Sequence, residues 1–279
     1  MSSITDLQAG LAQIQTAQFV TTMLRDISAT RLQNIRTAFE ANQAHYHELH
    51  EIMGYVKGYA AREGILVPQA AKKRIYVAVT SNRRFYGALN RLVMKAYLQA
   101  RAEDTTADGY VIGQTGHTYL EQQTASLPRS TSKQFTGDVP EPEEAAVVVR
   151  DVEVYQEVIV IHPTFVNSFE QVPQQTDISH VPKATAATNT LPFEYICEPE
   201  LPALLTFFMT QIRLVLLERV FLETQVALTG ARLMKMQRAR ERATELVAEE
   251  EQHIHKEIRT IQSLHLLETF TGYTTDRSL

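Results

Sequence analysis

The pattern of hydrophobic and polar positions divides this chain into three regimes. From Ile4 onward, apolar residues return at helical intervals through Leu7, Leu11 and Ile14. The stripe then steps sideways through Ala17, Val20, Leu24 and Ile27. It settles into seven-residue spacing at Leu32, Phe39, Tyr46 and Met53, with Ile35, Leu49 and Val56 on a companion row. Two apolar rows three or four residues apart make a seam for a second helix. The sideways step predicts a seam that is not one regular supercoil. Ser3 to Asp6 reads as a capping box, and Gly58 and Gly64 bracket the other end. The expected helix runs from about Ile4 to about Tyr59, about 80 Å at 1.5 Å per residue.

The C-terminal regime is similar. Pro202 sits where a first-turn proline is tolerated, and only Gly230 interrupts the helical pattern from Ala203 to about Phe270. That helix would be about 100 Å long. Its first half, LLTFFMTQIRLVLLERVFL, is apolar nearly all round and predicts burial on more than one side. Its second half, from Ala231 to Arg259, is mostly polar and must lie against something to persist. All ten prolines fall between Pro68 and Pro202, which leaves both ends free for long helices.

The middle regime reads as strands and helices. Arg74–Thr80, Tyr110–Ile112 and Glu157–Ile161 are β-branched and aromatic runs fit for buried strands. Phe85 to about Arg101 has helical periodicity through Leu89, Leu92, Val93 and Tyr97. Strands alternating with helices predict a parallel α/β layer. Glu143–Val154 fits strand by its AAVVV run and helix by its charge spacing. Gln122–Glu144 and Gln174–Thr190 are polar and read as loops. Neither end helix can bury its apolar face alone. The fold class expected is therefore mixed α and β: a long antiparallel coiled coil of the N- and C-terminal helices, with an inserted α/β, Rossmann-like domain. Residues 1–64 and 200–279 would form the coiled coil and residues 65–199 the globular domain.

Composition narrows the function. The 279 residues carry 27 Lys plus Arg against 32 Asp plus Glu, a net charge of −5. A chain that wraps nucleic acid usually has the opposite sign. The single cysteine, Cys197, makes no internal disulfide, so a reducing compartment is expected. The N-terminus lacks the basic and apolar regions of a signal peptide. The most apolar window, Leu201–Ile212, is cut off by Arg213, Glu218 and Arg219, short of the roughly 20 residues of a membrane span. No direct span is expected.

Candidate chemistry is sparse. His45, His47 and His50 lie beside Glu48 and Glu51, but not in the H-E-x-x-H zinc pattern, and the prior favours surface histidines. His253 and His255 point to different sides of a helix. Gly113–Gly116 follows a strand, yet lacks the Gly-Lys-Ser/Thr of a phosphate loop. No nucleotide, metal or other cofactor is expected. No acid–base or nucleophile constellation appears, which makes a small α/β enzyme with helical arms the poorest reading. Arg232, Lys235, Arg238, Arg240 and Arg242 form a basic cluster, by itself most simply a solvated helix face.

Several segments resemble the gamma subunit of F-type rotary ATPases. QFVTTMLRDISATRL, from Gln18 to Leu32, is similar to that family's Q-K-I-T-x-A-M-x-x-V-S-A-x-K-M/L, with Thr21, Leu24, Ser28, Ala29 and Arg31 in matching places. TSNRRFYGALN, from Thr80 to Asn90, resembles S-D-R-G-L-C-G-G-x-N. FEYICEP, from Phe193 to Pro199, and GARLMKM, from Gly230 to Met236, resemble Y-x-x-E-P and A-A-R-M-x-A-M. Phe165 to Pro173 is a weaker echo of F-x-N-x-x-x-Q-x-P. The chain also departs from the pattern. Arg84, Tyr86 and Ala88 stand where the family has two glycines and a cysteine. Phe19 replaces a lysine, Arg238–Ala243 replaces A-T-x-N-A, and the R-Q near the C-terminus survives at best as Arg259-Thr260.

The resemblance implies a non-catalytic, hetero-oligomeric rotor. Its helix pair would turn inside a ring of alternating alpha and beta subunits and set the three nucleotide sites to different states. The α/β domain would be a foot on the membrane c-ring, holding an epsilon-type subunit. The chain would lie peripherally on the cytoplasmic face of an energy-transducing membrane. Ring contacts are then expected at Leu24, Arg31, Arg232, Lys235, Met236, Arg238 and Arg259, with Arg83, Arg84, Gly87 and Asn90 marking the foot turn. The alternative is a coiled-coil adaptor with an α/β head.

Overall fold

The computed structural model describes residues 4–62, 72–83, 85–122, 130–137, 140, 142–167, 170–179 and 200–276. The elements in chain order are α1 (Ile4–Arg62), β1 (Lys72–Val79), α2 (Leu89–Glu103), β2 (Asp108–Ile112) and α3 (Gln114–Gln122). There follow β3 (Ser130–Lys133), α4 (Pro142–Glu153), β4 (Tyr155–Phe165), β5 (Gln171–Asp177) and α5 (Leu201–Asp276). They form two compact units. One comprises Met1–Ser28 with Leu233–Leu279, the other Ala29–Arg232.

The larger unit holds a five-stranded sheet of order β3-β2-β1-β4-β5. The first four strands are parallel, with Val77 opposite both Tyr110 and Val160. β5 is antiparallel to β4. The three strands expected from the sequence, β1, β2 and β4, are parallel as the parallel α/β layer required, and β5 adds an antiparallel edge. β1 explains why both faces are dry. Ile75, Val77 and Val79 point into one core with Ala145, Val148 and Val152 of α4 and with Leu217, Val220 and Phe221 of α5. Tyr76 and Ala78 point into the other, with Val93, Met94 and Tyr97 of α2. A strand alternating between two apolar layers reads as an unbroken hydrophobic run.

Two segments expected to be loops contain strands. Ser130–Lys133 is β3, and Gln174–Asp177 belongs to β5. Both are sheet edges, where one side meets no neighbouring strand and a polar composition is tolerated. The ambiguous Glu143–Val154 segment is helical, starting at Pro142 with Glu143 and Glu144 in its first turn. The helix expected from Phe85 begins at Leu89, because Phe85 has φ 76° and Gly87 has φ 63°.

In the same unit the early part of α5 packs on the late part of α1. Met53, Val56 and Ala60 share a cluster with Leu201, Leu205 and Ile212. Higher up, the Asn42 side-chain amide donates to the Val215 carbonyl at 3.4 Å and the Arg219 guanidinium lies 5.7 Å from the Phe39 ring centroid. Partner numbers fall in one helix as they rise in the other, so the pairing is antiparallel. An 18-residue window of α5 averages a hydropathy of 1.5, enough by length and composition to cross a membrane, with 33% of it buried. This corrects the expectation of a shorter apolar run, because leucine and valine resume after Arg213 at Leu214, Val215, Leu216 and Leu217.

In the smaller unit the start of α1 also runs antiparallel to the end of α5. Gln18 donates to the Thr244 hydroxyl at 2.8 Å, and Gly10 lies near Glu250. Here the expected sideways step does not occur. From Leu7 to Ser28 the covered positions are Leu7, Gly10, Leu11, Ile14, Gln18, Thr21, Thr22, Leu24, Arg25 and Ser28; of the four residues of the expected step only Leu24 is among them, while Ala17, Val20 and Ile27 are exposed. The three–four spacing is kept, and polar residues occupy it. Two of these hydroxyls are satisfied within the helix: Thr21 donates to the Ala17 carbonyl at 2.9 Å and Ser28 to the Leu24 carbonyl at 2.7 Å. Ser3, and with it the first residue of the expected capping box, lies outside the described residues.

Two methionines on α1 test this stripe. Met53 is 0% exposed and Met23 is 48% exposed. Met53→Ala is expected to lose about 2–5 kcal/mol, whereas Met23→Ala stays within about 0.5 kcal/mol of the parent. Midpoints of urea unfolding of the two variants check this; equal losses would contradict the stripe.

Candidate functional site

The C-terminal ends of β1 and β2 are where a sheet of this winding would hold a ligand, at helix N-termini. Here that position is filled by the chain itself. Each of the first four N–H groups of α3 has an internal acceptor. Gln114 N–H meets Asn82 Oδ1 at 2.8 Å, and Thr115 N–H meets the Ser81 carbonyl at 3.1 Å. Gly116 N–H meets Thr80 Oγ1 at 3.0 Å, and His117 N–H meets the Gly113 carbonyl at 3.1 Å. Three of the donors that would greet a phosphate are therefore spent on residues 80–82 and the fourth on Gly113. Gly113, at φ 101°, and Gly116 are needed for this closeness: an added Cβ would stand 2.3 Å from the Thr80 carbonyl oxygen and 2.7 Å from Thr80 Oγ1 respectively.

The same residues build the base of the foot turn. Asn90 is buried; its Oδ1 accepts from Ser81 N–H at 3.2 Å and its Nδ2 donates to Ser81 Oγ at 2.7 Å. Ser81 Oγ in turn donates to the Arg83 carbonyl at 2.9 Å. Asn82 Nδ2 donates to the carbonyls of Phe135 and Gly137, both at 2.6 Å. The turn leaves this base with Arg83 and Gly87 exposed and Phe85 63% exposed in a left-handed conformation. Arg84 lies outside the described residues, as do Cys197 and the whole Phe193–Pro199 segment.

Tyr86 turns inward. It is buried with Leu89 against Ala227, Leu228 and Ala231 of α5. The Arg232 guanidinium donates to the Tyr86 hydroxyl at 2.5 Å and sits 4.5 Å from the ring centroid. The sequence marked Arg232 as an outward contact; its side chain is engaged within its own unit. Sequence reasoning missed Tyr86, whose only signal was that a tyrosine stood in place of a cysteine.

Two further polar groups join α5 to the sheet side. Arg213, 7% exposed, donates to the carbonyls of Glu153 and Tyr155, both at 3.2 Å. These are the last carbonyl of α4 and the first of β4, and burial lowers the guanidinium pKa. His162 of β4 is 0% exposed, with Nε2 2.9 Å from Thr176 Oγ1 and 3.8 Å from Glu223 Oε2. Burial holds its imidazole below the ordinary range, while Glu223 pulls it the other way.

The remaining expected site residues fall on helix surfaces. Leu24 and Arg31 are half-buried on α1; Lys235, Arg238 and Arg259 are exposed on α5. Met236, at 6% exposure, is buried in the smaller unit. Arg242 is exposed and paired with Glu245 at 2.9 Å. His45 and His47 are exposed and His50 stacks on Tyr46 at 5.8 Å; no metal-binding cluster occurs among the described residues. Two apolar surfaces had not been expected. Phe19, Val20, Met23 and Ile27 are exposed together on α1, and on α5 every residue from Arg259 to Phe270 is exposed, including Leu264, Leu266 and Leu267.

Comparison with known proteins turns this arrangement into an assignment. A family model described as ATP synthase matches residues 3–257. The chain belongs to the ATP synthase family. It is 26% identical to the ATP synthase gamma chain of Moorella thermoacetica, over 88% of this chain and 89% of that one. It is 23% identical to the gamma chain of Trichlorobacter lovleyi, over 98% of each. The rotor of the Euglena gracilis mitochondrial ATP synthase has the same fold, with a TM-score of 0.60 at 12% identity, covering 92% of this chain and 98% of that one. The central stalk and c-ring structure from Tetrahymena thermophila gives a TM-score of 0.57 at 16% identity, covering 79% and 99%. These matches bear out the coiled-coil fold with its inserted domain and favour the rotor over the adaptor.

His162 makes stability depend on pH. Its folded pKa lies below the unfolded value of about 6.5, so the unfolded chain binds the extra proton first. Stability is full above about pH 6.5 and declines as pH falls from there toward the folded pKa. His162→Gln should flatten that part of the profile of melting temperature against pH. An unchanged slope between pH 7 and 5 would contradict it.

Proposed function

We propose that this chain is the central rotor subunit of a rotary F-type ATP synthase, coupling ion flow through a membrane ring to conformational cycling of catalytic sites on neighbouring subunits. It would itself be non-catalytic. The observation that carries this reading is the surface of the helix ends. A helix pair with apolar groups facing solvent at Phe19, Val20, Met23 and Ile27 on α1, and at Ile261, Leu264 and Leu266 on α5, is unfinished without a surrounding partner. Gamma chains match most of its length, which supports the same identity.

Under this reading residues 1–64 and 200–279 form the shaft and residues 65–199 the foot. Alpha and beta subunits would surround the shaft. Leu24, Arg31, Lys235, Arg238 and Arg259 are the contacts we assign to them. Scattered cations on a mostly polar helix suit a loose, salt-screened fit, because exposed ion pairs contribute only about 0–1 kcal/mol each. Rotation then works by differential contact: each angular position favours one ring conformation over another. The foot would rest on the c-ring and hold an epsilon-type subunit, placing the chain peripherally on the cytoplasmic face of the membrane.

Co-purification with a tagged beta subunit from the native membrane tests the identity; a chain that never joins an ATPase would refute it. Within the assembled complex, Lys235→Glu combined with Arg238→Glu should lower ion transport per ATP hydrolysed severalfold while leaving assembly intact. Native coupling in that variant would remove these two residues from the contact.

A further inference from the structure

An apolar stripe lets a helix roll on a sheet, because dispersion contacts have little directionality. The part of α5 that packs on the sheet is bounded differently. Taking the direction of buried Arg213 as reference, Leu217, Val220, Thr224 and Leu228 lie within roughly 60° of it at 3.6 residues per turn. All four are buried. Glu223 and Gly230 lie roughly 80–100° to one side and Arg232 roughly 100° to the other. Each of these flanking positions meets the sheet side of the unit. Glu223 faces His162 at 3.8 Å, and Gly230 admits the Phe165 ring so closely that a Cβ would stand 2.9 Å from it. Arg232 grips Tyr86 on the opposite flank, through its hydroxyl at 2.5 Å and its ring at 4.5 Å.

We propose that the Arg232–Tyr86 clasp is an anti-roll joint: it fixes the angle of α5 against the sheet, so that torque passes between helix and foot without slip. This rests on the rotor reading above. Arg232 is then a positioning residue that acts through Tyr86 rather than a contact to a neighbouring subunit. The two halves of the clasp are complementary. The hydroxyl gives direction, and the ring gives a flat surface that a planar guanidinium covers better than an ammonium does. The turn that carries Tyr86 is anchored at both ends. Its base is tied by Ser81 and Asn90, and Phe85 and Gly87 beside Tyr86 hold left-handed backbones. A pull on Arg232 therefore reaches β1 rather than being absorbed in a slack loop.

The test uses the assembled complex carrying Tyr86→Leu, Tyr86→Phe, Arg232→Gln or Arg232→Lys. Ion transport per ATP hydrolysed is measured in vesicles against an increasing opposing ion gradient. Slip should appear under the gradient. Tyr86→Leu and Arg232→Gln should fall at least threefold below the parent at the highest gradient, while matching it with no gradient. Tyr86→Phe, which keeps the ring, and Arg232→Lys, which keeps the charge, should fall between. Loss of coupling at every gradient, or none at any gradient, would overturn the joint. Amide hydrogen exchange of the full-length chain supplies a readout independent of assembly. Residues 85–89 should exchange at least tenfold faster in Arg232→Gln than in the parent, with β1 and β4 unchanged. Unaltered exchange in the turn would also overturn it. Failure of the parent chain to join an ATPase would refute the rotor reading instead.

Discussion

Everything in the larger unit depends on α5 being covered on two sides at once. Its early turns bury Leu201, Leu205 and Ile212 against α1, and its later turns bury Leu217, Val220 and Phe221 against the sheet. Leu216 touches both clusters. At roughly 25 cal/mol per Å² of apolar surface removed from water, neither partner alone stabilises so broad a stripe. The inserted α/β domain is thus the second wall of the helix's own burial. Arg213 follows from this double role. A guanidinium is buried inside the stripe, and it holds its place through the two carbonyls where α4 ends and β4 begins. Burying such a charge without partners would be strongly unfavourable.

The smaller unit is held differently. Gln18, Thr21, Arg25 and Ser28 occupy positions where a coiled coil ordinarily places leucine. Thr21 and Ser28 return their hydroxyls to their own helix, and Gln18 reaches across to Thr244. Such a seam is satisfied but weakly adhesive, since each hydrogen bond exchanged with water contributes only about 1 kcal/mol. The apolar groups displaced from it, among them Val20 and Ile27, face outward. A helix pair built this way trades internal adhesion for an apolar exterior.

The sheet has the order of a nucleotide-binding half, yet its ligand position is closed by chemistry rather than by bulk. Thr80, Ser81 and Asn82 accept the α3 donors that would otherwise bind an anion, and Asn82 also ties down the segment after β3. In a fold used for binding elsewhere, these polar groups are here turned on one another.

The two long helices and the strands β1, β2 and β4 were legible in the sequence, since each is a local pattern: helical or β-branched periodicity, with proline confined to the middle. The polar strands β3 and β5 were not, because an edge strand owes its form to a neighbour distant in sequence. The seam through Gln18 and Ser28 was hidden for a related reason: hydrophobicity marks a covered position only when it is covered by apolar contact, whereas Ser28 is buried after bonding its own helix and Gln18 is half-covered through a bond to Thr244. Of the site, the sequence supplied the exposed cations and the turn, and its motifs led to the family. Only the tertiary structure could assign Arg232 inward, because its partner Tyr86 lies 146 residues away along the chain. A side chain's direction depends on which of its neighbours in space offers a ring or an acceptor, and spacing along one helix does not contain that.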